Sequence, residues 1–572
     1  MANKDFVVRF AGEGGGGLVT SAELLAQVTA QVGYHVQTYV TFPSQIMGGP
    51  TFAQARISTD PVLSYGDDLD VLVAFDREAY DTHQEEVREG GVVVYNSEDF
   101  QLEADGKSFG MRIDELAKST GNARAANMVL LGAISHLVNM PENYLPEFVT
   151  KRFTRGRSGD EEIIKANIMA LSLGREEAKN SGFSLGDLAD PMPPRGDQIM
   201  IKGNDAIAIG AIAAGLDLFV GYPISPATTI LQYMERNLIG PGKFVYQASS
   251  EIESINAIVG GGFSGRKAMT STAGPGFSLM SEGLGLAWMA EIPVVVVDVQ
   301  RGGPATGLPT KTEQSDLLAA LHPAHGDVSM PIIAAGTVEE CYHAAILALN
   351  WAERYQGPVI LLSDHALSEQ AQNIPRFELD KVVAEKRKVY QGQNGYERYA
   401  GIGVSPMPIP GGPGAYVANA SEHDGVGDTT HLPNRHIDMT ERRFSKLKLL
   451  EEDAVYEREN IDERIAVMTW GGSKGATREA YNLMTSEGSK IAWYYTMQLN
   501  PLPPKLLEEL KEKDLVLIPE LNYLGQFSSI LRSKGVKAES ITQYDGKPFK
   551  VRDLVKAITG RVQSHDKELV QV

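Results

Sequence analysis

Val294-Val295-Val296-Val297, leading through Gln300-Arg301 into Gly302-Gly303-Pro304-Ala305-Thr306-Gly307, is the stretch on which the fold class turns. A near-continuous run of β-branched residues suits a strand buried on both faces, the situation of a parallel sheet covered by helices. The Gly/Pro loop ends that strand and places a guanidinium just past it. In open α/β sheets, ligands bind outside the carboxyl ends of the strands. The strand–helix rhythm runs from Gln198 to about Asp364, with Leu218-Phe219-Val220 as an earlier strand. The expectation is therefore an α/β protein.

The same alternation extends on both sides. Phe6–Phe10 reads as a strand, followed by Gly12-Glu13-Gly14-Gly15-Gly16-Gly17 and a helical pattern from Leu18 to Val32. Further strands are predicted at Val36–Phe42, Asp70–Phe75 and Gly91–Tyr95. Asp190-Pro191-Met192-Pro193-Pro194-Arg195-Gly196 has the composition of a linker. Near the C-terminus, Ile465–Trp470 reads as a strand turning through Gly471–Gly475 into a helix at Ala476, with Leu515–Ile518 as a later strand. Between these regions, Ile374 to Asn460 is rich in Gly, Pro and Asn and lacks the rhythm, so it reads as an extended arm. The predicted division is an α/β domain over 1–190, a linker over 191–197, a second domain over 198–373, the arm over 374–460 and a third domain over 461–572.

Length and composition agree with several cores. The 572 residues correspond to three or four domains at roughly 150 residues each. With 53 Lys and Arg against 73 Asp and Glu, the formal net charge is −20, which argues against the basic footprint of broad nucleic-acid binding. The single cysteine, Cys341, excludes a disulfide framework or an iron–sulfur cluster built from one chain, and its helical context reads as core. No apolar run approaches the ~18 residues of a membrane span, and no apolar signal region follows Met1-Ala2-Asn3-Lys4-Asp5. The expectation is a cytoplasmic protein without membrane attachment.

Three short runs carry candidate chemistry. In Ser250-Glu251-Ile252-Glu253 the spacing of Ser250 and Glu253 is that of a capping box, which puts Glu251 in a helix's first turn. That carboxylate either complements the helix dipole or, kept ionised by it, accepts a proton. In Gly221-Tyr222-Pro223-Ile224-Ser225-Pro226, two prolines flank Ser225; the run is either an ordinary turn or one that holds a hydroxyl at a strand's end. Arg301 either bridges a structural carboxylate or takes a ligand carboxylate bidentately. Gly12-x-Gly14-x-x-Gly17 has dinucleotide-binding spacing, but Val36-Gln37-Thr38-Tyr39 stands where the ribose-binding acid belongs. Gly260-x-Gly262-x-x-Gly265 follows a helical pattern and reads as close helix packing, whereas Gly471–Gly475 leaves phosphate binding open. His322, His325 and Asp327 lack diagnostic metal-ligand spacing, and no metal is assigned.

Taken jointly, these runs resemble the 2-oxoacid:ferredoxin oxidoreductases, which use thiamine diphosphate, and most closely the α subunit of the 2-oxoglutarate type with a fused N-terminal γ domain. The family's Tyr-Pro-Ile-Thr-Pro signature stands here as Tyr222-Pro223-Ile224-Ser225-Pro226. Thr270-Ser271-Thr272-Ala273-Gly274-Pro275-Gly276, Arg301-Gly302-Gly303-Pro304-Ala305-Thr306-Gly307 and Pro519-Glu520-Leu521-Asn522-x-x-Gly525-Gln526 match its other runs. The resemblance implies a γ-like first domain, a pyrimidine-binding thiamine diphosphate domain and a transketolase-C-terminal-like last domain. It implies that Glu251 hydrogen-bonds N1′ of the cofactor's aminopyrimidine, with Tyr222, Pro223, Ile224 and Ser225 at the cofactor. Ser225, Arg301 and Thr306 would contact the substrate, Arg301 through its carboxylate. Ser225 keeps the hydroxyl of the usual threonine and loses its methyl group.

The resemblance also implies what lies elsewhere. The sequence has no Gly-Asp-Gly followed about 25–30 residues later by Asn, the pattern that holds Mg²⁺ and diphosphate in such enzymes. A β subunit would bring that half-site and the [4Fe–4S] cluster, with ferredoxin and coenzyme A as further partners and (αβ)₂ as the assembly. The chain is thus expected to carry one wall of an active site for a 2-oxo acid. Alternatives are the same chemistry on pyruvate or a broader range of 2-oxo acids, a dinucleotide or flavin electron-transfer subunit without catalysis, and a structural scaffold.

Overall fold

All seven residues of the Val294–Gln300 strand are buried, Asp298 among them. In the computed structural model, which describes residues 3–14, 17–42, 49–191, 196–392, 396–453 and 455–571, this strand lies inside a seven-stranded sheet. The order across that sheet is Gln498–Asn500, Ile332–Ala334, Pro358–Asp364, Val294–Gln300, Ala268–Thr272, Leu218–Gly221 and Phe244–Gln247. The pairings are parallel apart from that of Gln498–Asn500, an edge strand supplied by the C-terminal region. Helices cover the sheet, as a strand buried on both faces requires. The Gly203–Ala213 and Val338–Tyr355 helices pack at backbone distance, because a Cβ on Gly210 would overlap the Tyr342 carbonyl. Cys341 lies buried in the second of these helices.

The chain divides into two compact units, Met1–Ile201 with Gln370–Arg376, and Lys202–Glu369 with Phe377–Val572. The first holds an eight-stranded mixed sheet in the order Ser108–Met111, Val87–Asn96, Leu69–Ala74, Asp5–Glu13, Pro50–Ser58, His35–Thr41, Ala371–Pro375 and Gln198–Lys202. The helices Ala126–Leu137 and Asp160–Ser181 pack through glycine: a Cβ on Gly132 would enter the Leu171 carbonyl and one on Gly174 the Val129 carbonyl. The second unit joins the seven-stranded sheet to a five-stranded one ordered Tyr456–Glu459, Ala492–Thr496, Ile465–Thr469, Leu515–Glu520 and Ala538–Thr542.

Three features differ from the sequence reading. The antiparallel strand Pro50–Ser58, between Asp5–Glu13 and His35–Thr41, was not anticipated, since its buried positions include Thr51, Gln54 and Ser58. The strand Gln198–Lys202 falls within the range predicted as the second domain, and Ala371–Pro375 straddles the predicted boundary between that domain and the arm, yet both pair in the first sheet. The arm also contains a helix, Pro433–Ser445, whose buried face is Met439, Arg442 and Arg443. A helix with a largely charged inner face shows little of the apolar periodicity by which helices are read.

That charged face docks the arm within the second unit. Glu291, fully buried at the end of the Ser281–Met289 helix, accepts hydrogen bonds from Arg442 Nε at 2.8 Å and Lys446 Nζ at 2.9 Å. Burial alone would raise the Glu291 pKa, but Lys446, Arg398 and Arg442 overcome it and hold the carboxyl at about 2. Three cations face one carboxylate, so burial and the two guanidiniums bring Lys446 down to about 8. Arg387 grips Glu353 through Nε and Nη2 at 2.9 and 2.8 Å, tying the arm's start to the Val338–Tyr355 helix.

Candidate active site

Four neighbouring parallel strands end on one edge: Leu218–Gly221, Phe244–Gln247, Ala268–Thr272 and Val294–Gln300. The loops that leave these ends carry Ser225, Glu251, the Gly274–Gly276 turn and Arg301. A parallel sheet therefore gathers residues that are far apart in sequence, on the side where α/β sheets bind ligands.

Glu251 opens the Glu251–Phe263 helix and is 5% exposed. Ser250 caps that helix by accepting the Glu253 N–H at 3.2 Å. The reciprocal bond expected of a capping box lands one residue earlier: the Glu253 carboxylate accepts Ser249 N–H at 2.6 Å and Tyr246 O–H at 2.9 Å. Glu253 therefore serves the helix start, leaving Glu251 to face the neighbouring turn. A Cβ on Gly276 would lie 2.7 Å from Glu251 Cγ and would collide with Thr272 Oγ1. Only glycine lets that turn approach the carboxylate so closely.

Arg301, 7% exposed, donates from Nη1 to the Ser225 carbonyl at 2.7 Å and from Nη2 to the Thr306 carbonyl at 3.4 Å. It thereby pins the two loops that flank it. The Ser225 side chain and Thr306 are exposed, Tyr222 is 39% exposed, and Pro223 and Ile224 are half-buried. Burial lowers the Arg301 pKa, and nearby Asp316 opposes that shift. Glu251 packs on the 272–276 turn, and Gly274 of that turn abuts Asp316, which in turn faces Arg301. The structure thus brings Ser225, Thr306 and Arg301 into direct contact and sets Glu251 beside them through that turn.

Sequence reasoning missed Asp298 and Asp316. The signal was a single acid inside the apolar Val294–Gln300 run. Asp298 is completely buried, and burial followed by the Asp316 charge pushes its carboxyl well above the usual range. Burial and then Glu313 push Asp316 up to about 6, with Asp298 and Arg301 pulling the other way. His365, following the adjacent strand Pro358–Asp364, is lowered to about 4 by burial, Lys311 and Arg301, and is neutral near pH 7.

The other motifs resolve by contact. Gln314 N–H donates to the Leu521 carbonyl at 2.7 Å, Gln314 Nε2 to the Trp470 carbonyl at 2.9 Å, and Gln526 Nε2 to the Ser315 carbonyl at 2.7 Å. The Pro519–Gln526 run thus clamps the segment bearing Asp316. In the Gly471–Gly475 turn a Cβ on Gly472 would overlap the Asp364 carboxylate, and Lys474 pairs with Glu340 and Glu457. That surrounding is acidic and packed, so phosphate binding there is set aside. Gly262 approaches the Pro293 carbonyl, in keeping with close helix packing. In the first loop, Gly15 and Gly16 lie outside the described residues, as does most of the linker. Among the described residues, no cluster of three or more His, Cys, Asp or Glu is placed to hold a metal ion, and no helix is long and apolar enough to cross a membrane.

A buried glutamate at a helix start, with a glycine cradle against it, thus stands on the carboxyl edge of a parallel sheet. The family profile described as pyruvate flavodoxin/ferredoxin oxidoreductase, thiamine diphosphate-binding, matches residues 209–442, and that of pyruvate ferredoxin/flavodoxin oxidoreductase matches residues 7–177. The chain belongs to the 2-oxoacid:ferredoxin oxidoreductase family. It is 31% identical to the 2-oxoglutarate oxidoreductase subunit KorA of Mycobacterium tuberculosis, over 99% of this chain and 93% of that protein. It is 29% identical to the alpha subunit of 2-oxoacid:ferredoxin oxidoreductase 2 of Aeropyrum pernix, over 97% and 98%. A solved 2-oxoglutarate:ferredoxin oxidoreductase from Magnetococcus marinus, with 2-oxoglutarate, coenzyme A and succinyl-CoA bound, is 37% identical and superposes with a TM-score of 0.92 over 98% of this chain and 99% of that one.

Proposed function

We propose that the chain is the γ-fused α subunit of an enzyme that converts 2-oxoglutarate and coenzyme A to succinyl-CoA and CO₂. One proton and two electrons leave, the electrons passing to ferredoxin through a [4Fe–4S] cluster in a β subunit. The observation that carries the reading is Arg301. A buried guanidinium at a strand's carboxyl end, with its Nε lacking a hydrogen-bond partner among the described residues, is suited to a ligand carboxylate. The whole-length likeness to the Magnetococcus marinus enzyme supports 2-oxoglutarate as that ligand.

Thiamine diphosphate, when bound, supplies the carbon nucleophile and the electron sink. Glu251 would hold the pyrimidine ring by accepting its hydrogen bond at the start of the Glu251–Phe263 helix. Tyr222, Pro223 and Ile224 would line the ring, and the exposed Ser225 hydroxyl would point to substrate. Arg301 would fix the substrate's carboxylate, and Thr306 would lie beside it. The diphosphate, its Mg²⁺ and the cluster belong to the β subunit, in a cytoplasmic (αβ)₂ assembly. Pyruvate is the second reading, favoured by the descriptions of both matching profiles.

The test is co-expression with a β-type subunit and viologen reduction across 2-oxoglutarate, pyruvate and longer 2-oxo acids, with and without coenzyme A. Turnover on 2-oxoglutarate that needs both subunits is expected, and it should disappear in Glu251→Gln. Turnover by the isolated chain, or near-normal turnover in Glu251→Gln, would refute the half-site assignment.

A further inference from the structure

Three buried polar groups beside the site lack an ordinary partner. Among the described residues, no hydrogen-bond donor reaches Asp298 Oδ1 or Oδ2, Asp316 Oδ2 has none, and Arg301 Nε has no acceptor. Asp298 is inaccessible to solvent, and Arg301 is more than nine-tenths buried. An ionised carboxylate cannot stay in such a place without donors, because the desolvation penalty neutralises it. Asp298 and Asp316 lie within hydrogen-bonding reach of each other, and only a proton between them makes that contact a bond.

The scaffold holds both acids firmly. Asp298 sits in a strand paired on both sides, opposite Thr272 and Leu362. Asp316 donates its backbone N–H to Gln300 Oε1 at 3.1 Å and sits against Gly274, where a Cβ would come within 2.8 Å of its Oδ2. The charged groups facing the pair are Glu313 and Arg301. Near Arg301 stands the neutral His365, which Lys311, itself lowered by burial, also faces.

We propose that Asp298 and Asp316 form a proton-sharing carboxyl pair that serves as the resident counter-charge of Arg301, and that the carboxylate of an incoming 2-oxo acid displaces this counter-charge with uptake of a proton by Asp316. Asp298 donates the shared proton to Asp316, which leaves one negative charge on the pair to balance the guanidinium. An arriving carboxylate adds a second negative charge, and like charges so close cannot both stay ionised. Asp316 then takes a proton from solvent while Arg301 turns its N–H groups to the substrate. When that carboxylate departs as neutral CO₂, Asp316 returns the proton and faces Arg301 again. The two acids are positioning residues acting through Arg301.

The proposal rests on the substrate reading above for its second half only, and the tests separate the two halves. Infrared difference spectra of the full chain at neutral pH should show a carboxylic-acid carbonyl band that shifts in D₂O and disappears in Asp298→Asn. The wild-type chain lacking such a band would overturn the pair, whatever becomes of the variant. Calorimetry of 2-oxoglutarate and pyruvate binding to the cofactor-free αβ assembly, in buffers of different ionisation enthalpy, should show net proton uptake. Asp316→Asn should still bind and lose that uptake. Binding without proton uptake, or uptake retained in Asp316→Asn, would overturn the exchange. Binding of neither acid would refute the exchange and the substrate reading together, while the infrared band would still establish the shared proton.

Discussion

Gly276→Ala should damage catalysis more than stability. The new Cβ would stand 2.7 Å from Glu251 Cγ, with Glu251 Oε1 and Thr272 Oγ1 closer still. Ordinary carbon–carbon contact needs about 3.5–4.0 Å, so something must yield by about 1 Å. Thr272 is buried at the end of a paired strand, which leaves the Glu251 side chain to move. Overpacking costs about 1–3 kcal/mol, while replacing a helical glycine with alanine returns about 0.5–1 kcal/mol. The net destabilisation should therefore be about 0–2.5 kcal/mol. A misplacement of about 1 Å at a catalytic group costs about 10²-fold in rate. The assay is kcat for 2-oxoglutarate-dependent viologen reduction by the αβ assembly, with thermal unfolding as the control. A stabilised variant with kcat within about twofold of wild type would show that the turn does not position Glu251, and would refute the reasoning.

Arg301→Ala should mainly raise KM for the 2-oxo acid, by about 10–150-fold if the charge-assisted bonds are worth about 1.5–3 kcal/mol; an unchanged KM would remove Arg301 from the substrate pocket. Glu291→Gln should cost about 3–5 kcal/mol by leaving Arg398, Arg442 and Lys446 without their buried counter-charge. Because Glu291 is held at about 2 against an ordinary 4.5, its contribution is present above pH 4.5 and is lost as the pH falls toward 2. Acid unfolding followed by proteolysis of the arm should therefore steepen in that window for the wild type and flatten for Glu291→Gln. Gly174→Ala should destabilise the first unit, because the obstruction is the Val129 carbonyl, a backbone atom that cannot rotate away; faster amide exchange across residues 126–181 would report it.

Local patterns carried much of the fold. The apolar run Val294–Val297, the Leu18-to-Val32 periodicity and the Ser250/Glu253 spacing each concern neighbours along one element; the strand and both helices formed where expected, with Glu253 bonding Ser249 in place of Ser250. The Pro433–Ser445 helix escaped because its inner face is Arg442 and Arg443, satisfied by Glu291 and Glu422 from distant segments. Pro50–Ser58 escaped for a related reason: its buried Gln54 is acceptable only because Arg9, on the paired strand, donates to it at 2.8 Å. A buried polar residue looks like surface until its partner is known.

The site divides the same way. Sequence alone marked Val294–Val297 as a buried strand, put Arg301 past its end, and set Glu251 in a helix's first turn, because strand burial and helix capping are decided within a few residues. It also left Arg301 open as either a structural bridge or a ligand-binding group. Only the tertiary structure settled its surroundings: parallel pairing brought four strand ends to one edge, and the Gln314–Leu521 and Gln526–Ser315 bonds held the Asp316 segment there. That arrangement makes Arg301 a clamp on the Ser225 and Thr306 loops with a buried acid pair behind it. The physical reason is that desolvation and charge coupling depend on what lies within a few ångströms in space, and chain order does not encode that distance.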